Sequence, residues 1–338
     1  MIQRKYYKTI RVIIDSDGGG TPFYIENVDT VPGDFALYKS GTTTYTPNLN
    51  YRIDNGEWFE YDMTNLPLIE VPIGSKIYLK GNNPNGFNQN SSAYYEINFY
   101  KSSTYSYCKC NIGGYITSLL ALENFHLIDN IPNYTFNHLL DGNTGLKSAE
   151  TLITSNITSV GNSSFKYCFN NCSSLVTAPT FENVTSTMES SFECCFQGCT
   201  SLVTAPMFER VTSVGNTCFS QCFINCTSLV TAPTFENVIS VGRYGLQSCF
   251  QGCTSLVTAP NFRNLTSASE IYCFRNCFSN CISLGIIIAP RPSSWSTSYF
   301  TDWVKDIPST GTFYKKKGLE IPTGTSGIPE GWTVVEEA

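Results

Sequence analysis

Charge is scarce in this chain. Only 14% of its 338 residues are Asp, Glu, Lys or Arg, and the formal net charge is -6. With no basic surplus there is no general attraction to nucleic acid. The one basic run, Lys315-Lys316-Lys317, reads as a solvated turn. Histidine is scarcer still, with only His126 and His138, and residues 151–284 contain no aspartate. A Cys/His nucleophile system is therefore excluded from that stretch. Glu182, Glu209 and Glu236 recur at one repeat position and read as a solvated edge. No catalytic residue, cofactor or metal site is expected.

Long apolar runs are also missing. Nothing approaches the roughly 18 consecutive apolar residues of a membrane span. The start, Met1 to Lys8, is basic but is followed by neither an apolar core nor a small-residue cleavage site. Ile10, Val12 and Ile14 alternate with polar residues instead, as in a half-buried strand. The expectation is a protein that does not use the general secretory route. Gly18-Gly19-Gly20 lacks the Gly-Lys-Ser/Thr ending of a phosphate loop and reads as a hairpin turn, with Asp15 and Asp17 as turn acids.

What the chain has in abundance is repetition. Cys168-Phe169-x-x-Cys172 recurs at Cys195–Cys199, Cys222–Cys226, Cys249–Cys253 and Cys277–Cys281, in steps of 27, 27, 27 and 28 residues. A fixed period of this size marks a solenoid, in which each unit buries its apolar face against its neighbours. Phe165, Cys168, Phe169, Cys172 and Leu175 are spaced by three and four, which predicts one face of a short helical turn. Leu175 to Pro179 then predicts a short strand closed by proline. An eroded earlier unit shows in Phe136, Leu139, Leu140, Leu146 and Ala149, which makes six coils with the first as a cap.

Fifteen cysteines invite a disulfide or zinc reading. Ten of them fall in two columns, and neighbouring coils at strand spacing would not forbid a bridge. Cysteine as a small buried hydrophobe in a repeated slot accounts for the pattern better. Zinc needs four ligands closing on one point, whereas these columns run parallel.

Val160, Ser164, Phe165, Cys168, Leu175, Ala178 and Pro179 occupy the places of a BspA-like leucine-rich repeat, and the unit resembles that family with a four-residue insertion. The flanks, Gly56-Glu57-Trp58, Val71 to Asn82 and Gly327 to Trp332, are similar to modules around such repeats in gut anaerobes and their tailed phages. The resemblance implies an N-terminal β-sandwich-like module (1–105), a junction and cap repeat (106–150), a leucine-rich-repeat solenoid (151–284) and an aromatic C-terminal cap (285–338). Within the first module strands are predicted at Ile10–Ile14, Phe35–Lys39, Trp58–Tyr61, Ile77–Lys80 and Tyr95–Tyr100.

For function, the expectation is a non-enzymatic phage virion appendage that contributes to host-surface adhesion. A bacterial cell-surface adhesin and a purely structural virion spacer are the alternatives. The implied partners are host surface polysaccharide or surface protein and, through residues 1–105, other virion proteins or a second copy of the chain. Val-Thr-Ala-Pro recurs unchanged at 176, 203, 230 and 257, so a strand face would present one repeated surface to a repetitive ligand. Variation sits at Asn171, Gln197, Asn225 and Gln251, which are candidate ligand contacts together with Trp295, Tyr299, Trp303 and Tyr314 of the aromatic end.

Overall fold

The structure, a computed structural model, describes residues 20–42, 45–90, 92–101, 104, 106–268 and 271–337. The expected strand Ile10–Ile14, the Gly18-Gly19 turn and the Asp15/Asp17 acids lie outside these residues. The chain is built mostly of strands in several small sheets, none of them closed. The described residues include no helix long and apolar enough to cross a membrane.

The first part carries strands β1 (Phe23–Asn27), β2 (Gly33–Ser40), β3 (Asn50–Ile53), β4 (Phe59–Glu60), β5 (Ile69–Val71), β6 (Lys76–Lys80) and β7 (Tyr94–Lys101). Each expected strand from Phe35 onward is present in whole or part. Strands β5, β2 and β7 form one antiparallel sheet. A second sheet has the order β10-β8-β1-β6-β3-β4, where β8 is Cys110–Tyr115 and β10 is Leu146–Ile153. Between β8 and β10 lie two short 3-10 turns and β9 (Asn130–Ile131). β8 and β10 pair in parallel, so the second sheet continues from the N-terminal part into the first repeat. Phe23, Ile25, Phe35, Leu37, Ile77, Leu79, Ile97 and Phe99 are buried on the strands of the two sheets and belong to the same buried cluster as the repeats.

The expected helical turns are not there. From Ser163 to Cys172 the backbone forms a ribbon of consecutive turns. Ser163, Tyr167 and Asn171 take φ of 54°, 56° and 55°, so every fourth residue is left-handed. An α-helix needs every residue right-handed and every N–H bonded four residues back. Here alternate N–H groups do different things. Those of Lys166, Cys168, Asn170 and Cys172 bond three residues back, to Ser163, Phe165, Tyr167 and Phe169. Those of Ser163, Phe165, Tyr167, Phe169 and Asn171 point sideways and donate to Glu189, Ser191, Glu193, Cys195 and Gln197 of the next unit, at 2.7–3.0 Å. A non-glycine left-handed residue costs about 1–2 kcal/mol. Five cross-unit hydrogen bonds at about 1 kcal/mol each are a gain of the same order. Turns and helices both return a side chain to one face every three to four residues, which is why their apolar spacings coincide.

Strand formation also sits elsewhere than expected. Thr177, Thr204 and Thr231 make only single parallel bridges. The two-residue strands are β11 (Ser159–Val160), β12 (Ser186–Thr187), β13 (Ser213–Val214), β14 (Ser240–Val241) and β15 (Ser267–Ala268), before each ribbon rather than after it.

The core is columnar. Phe169, Phe196, Phe223, Phe250 and Phe278 stack with centroids 5.1–5.6 Å apart and planes within 9° of parallel. Phe181 and Phe208 belong to a second column and meet Phe192 edge-on at 4.9 and 5.0 Å. All fifteen cysteines are free and buried. Cys199, Cys226, Cys253 and Cys281 donate their thiols to the carbonyls of Phe169, Phe196, Phe223 and Phe250, at 3.0–3.1 Å. Valine would fill the slot without that bond, and serine would cost more to desolvate. Burial pushes these thiols up, Cys226 to about 12, so they stay protonated and unreactive at neutral pH.

The ribbon continues at both ends. Tyr134, His138 and Gly142 are left-handed and pair forward onto Asn162, Lys166 and Asn170. At the other end Phe274, Asn276, Phe278 and Asn280 donate to Tyr299, Thr301, Trp303 and Lys305. The expected aromatic cap thus contains a seventh ribbon, one more than the six coils expected. The parallel sheet β16 (Ile286–Ile288), β17 (Thr312–Lys316) and β18 (Thr333–Glu337) flanks it in sequence, with β16 before the ribbon and the other two strands after it.

Candidate functional site

The ribbons set one row of outward positions. Asn171 donates its N–H to the carbonyl of Gln197, and Asn225 donates to that of Gln251. The four residues therefore lie along a single edge, with both asparagines exposed and both glutamines half-buried. The placing of the two asparagines has a conformational cause. The third left-handed position of the first six ribbons is Gly142, Asn171, Gly198, Asn225, Gly252 and Asn280, the two residue types that tolerate this conformation best, and Asp306 holds it in the seventh. A Cβ at Gly198 would sit 2.4 Å from Asn171 Oδ1, and one at Gly252 would sit 2.5 Å from Asn225 Oδ1. Each asparagine side chain thus covers the glycine of the next unit.

On another part of the surface Val176, Val203, Val230 and Val257 form an apolar stripe, each 42–49% exposed. The first residues of β13 and β14 form part of a serine row, with Ser240 Oγ donating to Ser213 Oγ at 2.8 Å. The repeated Val/Thr surface expected from the sequence is present.

The aromatic end is less available. Trp303 is fully buried, and its Nε1 donates to the carbonyl of Gly327 at 2.9 Å. It has no ring face to offer a ligand. Trp295 stacks on Phe300 at 3.7 Å and donates Nε1 to the Ser326 carbonyl. Tyr299 and Tyr314 are half-buried. The last ribbon would otherwise expose its core face, and these rings cover it. A cleft of about 310 Å³ nearby is lined by Val304, Ile307, Pro308, Thr325, Pro329 and Glu330 among others, and by none of the four expected aromatics.

One cluster had no signal in the sequence. Glu96 on β7 meets His138 and Asp141 of the first ribbon, with one ligand-type atom of each lying within 4.8 Å of the others. His138 Nδ1 is 2.6 Å from Asp141 Oδ2. The imidazole is clamped between Tyr94, at 4.0 Å and 3°, and Tyr167, at 4.5 Å and 20°. Asn170 Nδ2 donates to Asp141 Oδ1 at 2.8 Å. Burial, then the charge of Asp141, pushes the Glu96 carboxyl up to about 7 against a hydrogen bond from Asn98. The three residues are separated by 42 and 3 positions and form no motif, and the rarity of histidine was the only hint.

A comparison of this chain with protein-family models, with curated proteins and with solved structures finds no match in any of the three.

Proposed function

We propose that this chain is a non-enzymatic leucine-rich-repeat solenoid of the BspA-like kind carried on a β-rich module, and that it serves as a phage virion appendage adhering to host-surface glycan. The observation that carries the reading is the regular recurrence of surface groups. Exposed valines and bridging threonines return once per unit and the edge asparagines in alternate units, so a ligand with its own repeat meets the same groups at regular steps. A single folded ligand would meet the same groups too many times to be read in one register. The buried, protonated thiols leave the repeats without a thiolate nucleophile, which also favours adhesion over thiol catalysis.

The test is retention of labelled protein on intact bacteria, untreated or stripped of surface polysaccharide. Saturable retention lost on stripping is the expected result. Equal retention on stripped cells would overturn the glycan reading and point to a protein receptor. No retention would favour a stiff virion spacer, a role suited to one buried cluster running from Phe23 to Trp332.

A further inference from the structure

We propose that Glu96, His138 and Asp141 bind a divalent transition-metal ion of the zinc class, which staples the β-rich module to the first repeat. Glu96 comes from the N-terminal module, and the other two come from the first ribbon. Imidazole with two carboxylates is a donor set suited to zinc, cobalt or manganese rather than calcium or magnesium, which take oxygen ligands alone. Three protein ligands leave a fourth position for water.

The donors are close to the spacing an ion needs. Ligands at zinc distances in a tetrahedron stand roughly 3.4 Å apart. Here the His138–Asp141 pair is at 2.6 Å, and every pair lies within 4.8 Å. Closing on an ion asks Asp141 to draw back from His138 by roughly 0.8 Å and the wider pairs to close by at most roughly 1.4 Å. The supporting residues are already in place. The Tyr94–His138–Tyr167 stack fixes the ring plane, and Asn170 orients Asp141. Such outer partners are what holds ligands for a metal.

Two further observations point to a cation. Asn170 is only 8% exposed, and while its Nδ2 holds Asp141, its Oδ1 is buried without a hydrogen-bond partner. That oxygen is an unused acceptor beside the cluster, suited to a proton of metal-bound water. The second is backbone polarity. In the first six ribbons the sideways N–H groups point to the next unit, so the partnering carbonyls point back toward the first. Peptide dipoles aligned this way leave partial negative charge at the first unit, as at a helix C-terminus. The β-rich module satisfies three backward carbonyls there: Asn88 N–H donates to Thr135, Asn88 Nδ2 to Asn137 and Ile97 N–H to Leu139. The next backward position in that row is Asp141 itself. Two carboxylates gathered at the negative end of the array are placed for a cation.

The experiment titrates the full chain with Zn²⁺ or Co²⁺ under native conditions, by calorimetry and by cobalt absorption. The expected result is one equivalent bound, with a raised melting temperature and a cobalt spectrum lacking thiolate charge transfer. Glu96→Gln and His138→Gln each weaken binding by more than about tenfold, and Asn170→Ala weakens it by about tenfold. Excess Mg²⁺ or Ca²⁺ does not displace the ion. Circular dichroism checks that each variant folds, and Glu96→Gln, which keeps the side-chain shape, decides the matter should His138→Gln fail to fold. No saturable binding, binding unchanged in Glu96→Gln, or a thiolate-to-cobalt band would overturn the proposal.

Discussion

Gly198→Ala should destabilise the protein through two separable effects, and Asn171 separates them. Gly198 has φ of 69°, and a left-handed alanine costs about 1–2 kcal/mol. The new methyl would also sit 2.4 Å from Asn171 Oδ1. Asn171 is exposed and can swing away, at roughly 0.5–1.5 kcal/mol for leaving its rotamer and its cover over the ribbon. The single substitution should therefore cost about 2–3 kcal/mol. In an Asn171→Gly background only the backbone part remains, about 1–2 kcal/mol, for a coupling near 1 kcal/mol. The assay is urea unfolding, followed by far-UV circular dichroism and by tryptophan fluorescence. The four tryptophans, Trp58, Trp295, Trp303 and Trp332, lie outside the central repeats, so coincident curves would show that the array unfolds as one. A midpoint unmoved by Gly198→Ala would refute the idea that left-handed backbone selects glycine here. An equal loss in both backgrounds would refute the steric pairing of adjacent units.

Phe223 is fully buried between Phe196 and Phe250, so Phe223→Ala should cost about 3–5 kcal/mol and Phe223→Leu about 1.5 kcal/mol in urea midpoints. A loss below about 1 kcal/mol for the alanine would mean that the column contributes little. Native alkylation with iodoacetamide, read by intact mass, should leave all fifteen thiols unmodified until denaturant is added; rapid modification of even one would contradict their burial. Glu96 supplies a pH test. Its carboxyl sits at about 7 when folded against 4.5 ordinarily, so the folded chain keeps a proton that the unfolded chain releases. Its contribution is therefore full below about pH 4.5 and lost as pH rises through about 7. Without added metal, Glu96→Gln should raise the melting temperature at about pH 8 and not at about pH 4.5, and the reverse order would falsify the assignment.

The period and the inward side chains of the repeats were legible in the sequence, because burial in a stacked array writes Phe165, Cys168, Phe169 and Cys172 at fixed intervals. The backbone that joins them was not. Left-handed residues usually announce themselves as glycine, but here they include Ser163, Tyr167, Cys194, Gln221 and Thr217, which carry no such signal. Only the third position keeps the Gly/Asn signature, and the sequence alone made that look like ligand-driven variety. Val-Thr-Ala-Pro reads as a strand by composition, yet ahead of Pro179 only Thr177 bridges to the neighbouring units, while Ser159–Val160 pairs over two residues with less β-rich neighbours. Trp303 could be read from sequence as a ligand platform or a cap, and only its burial decides for the cap. The Glu96 cluster depends on β7 crossing the first ribbon, a long-range contact with no local trace.

The forward-pointing hydrogen bonds of the ribbons give the array a head and a tail that are chemically different. An edge of carbonyls cannot join another edge of carbonyls, so units within the chain can follow one another only head to tail. An extra unit inserted between any two existing ones presents the right donors to one side and the right acceptors to the other. Gene duplication can therefore change the reach of this protein in steps of one unit without rebuilding either terminus.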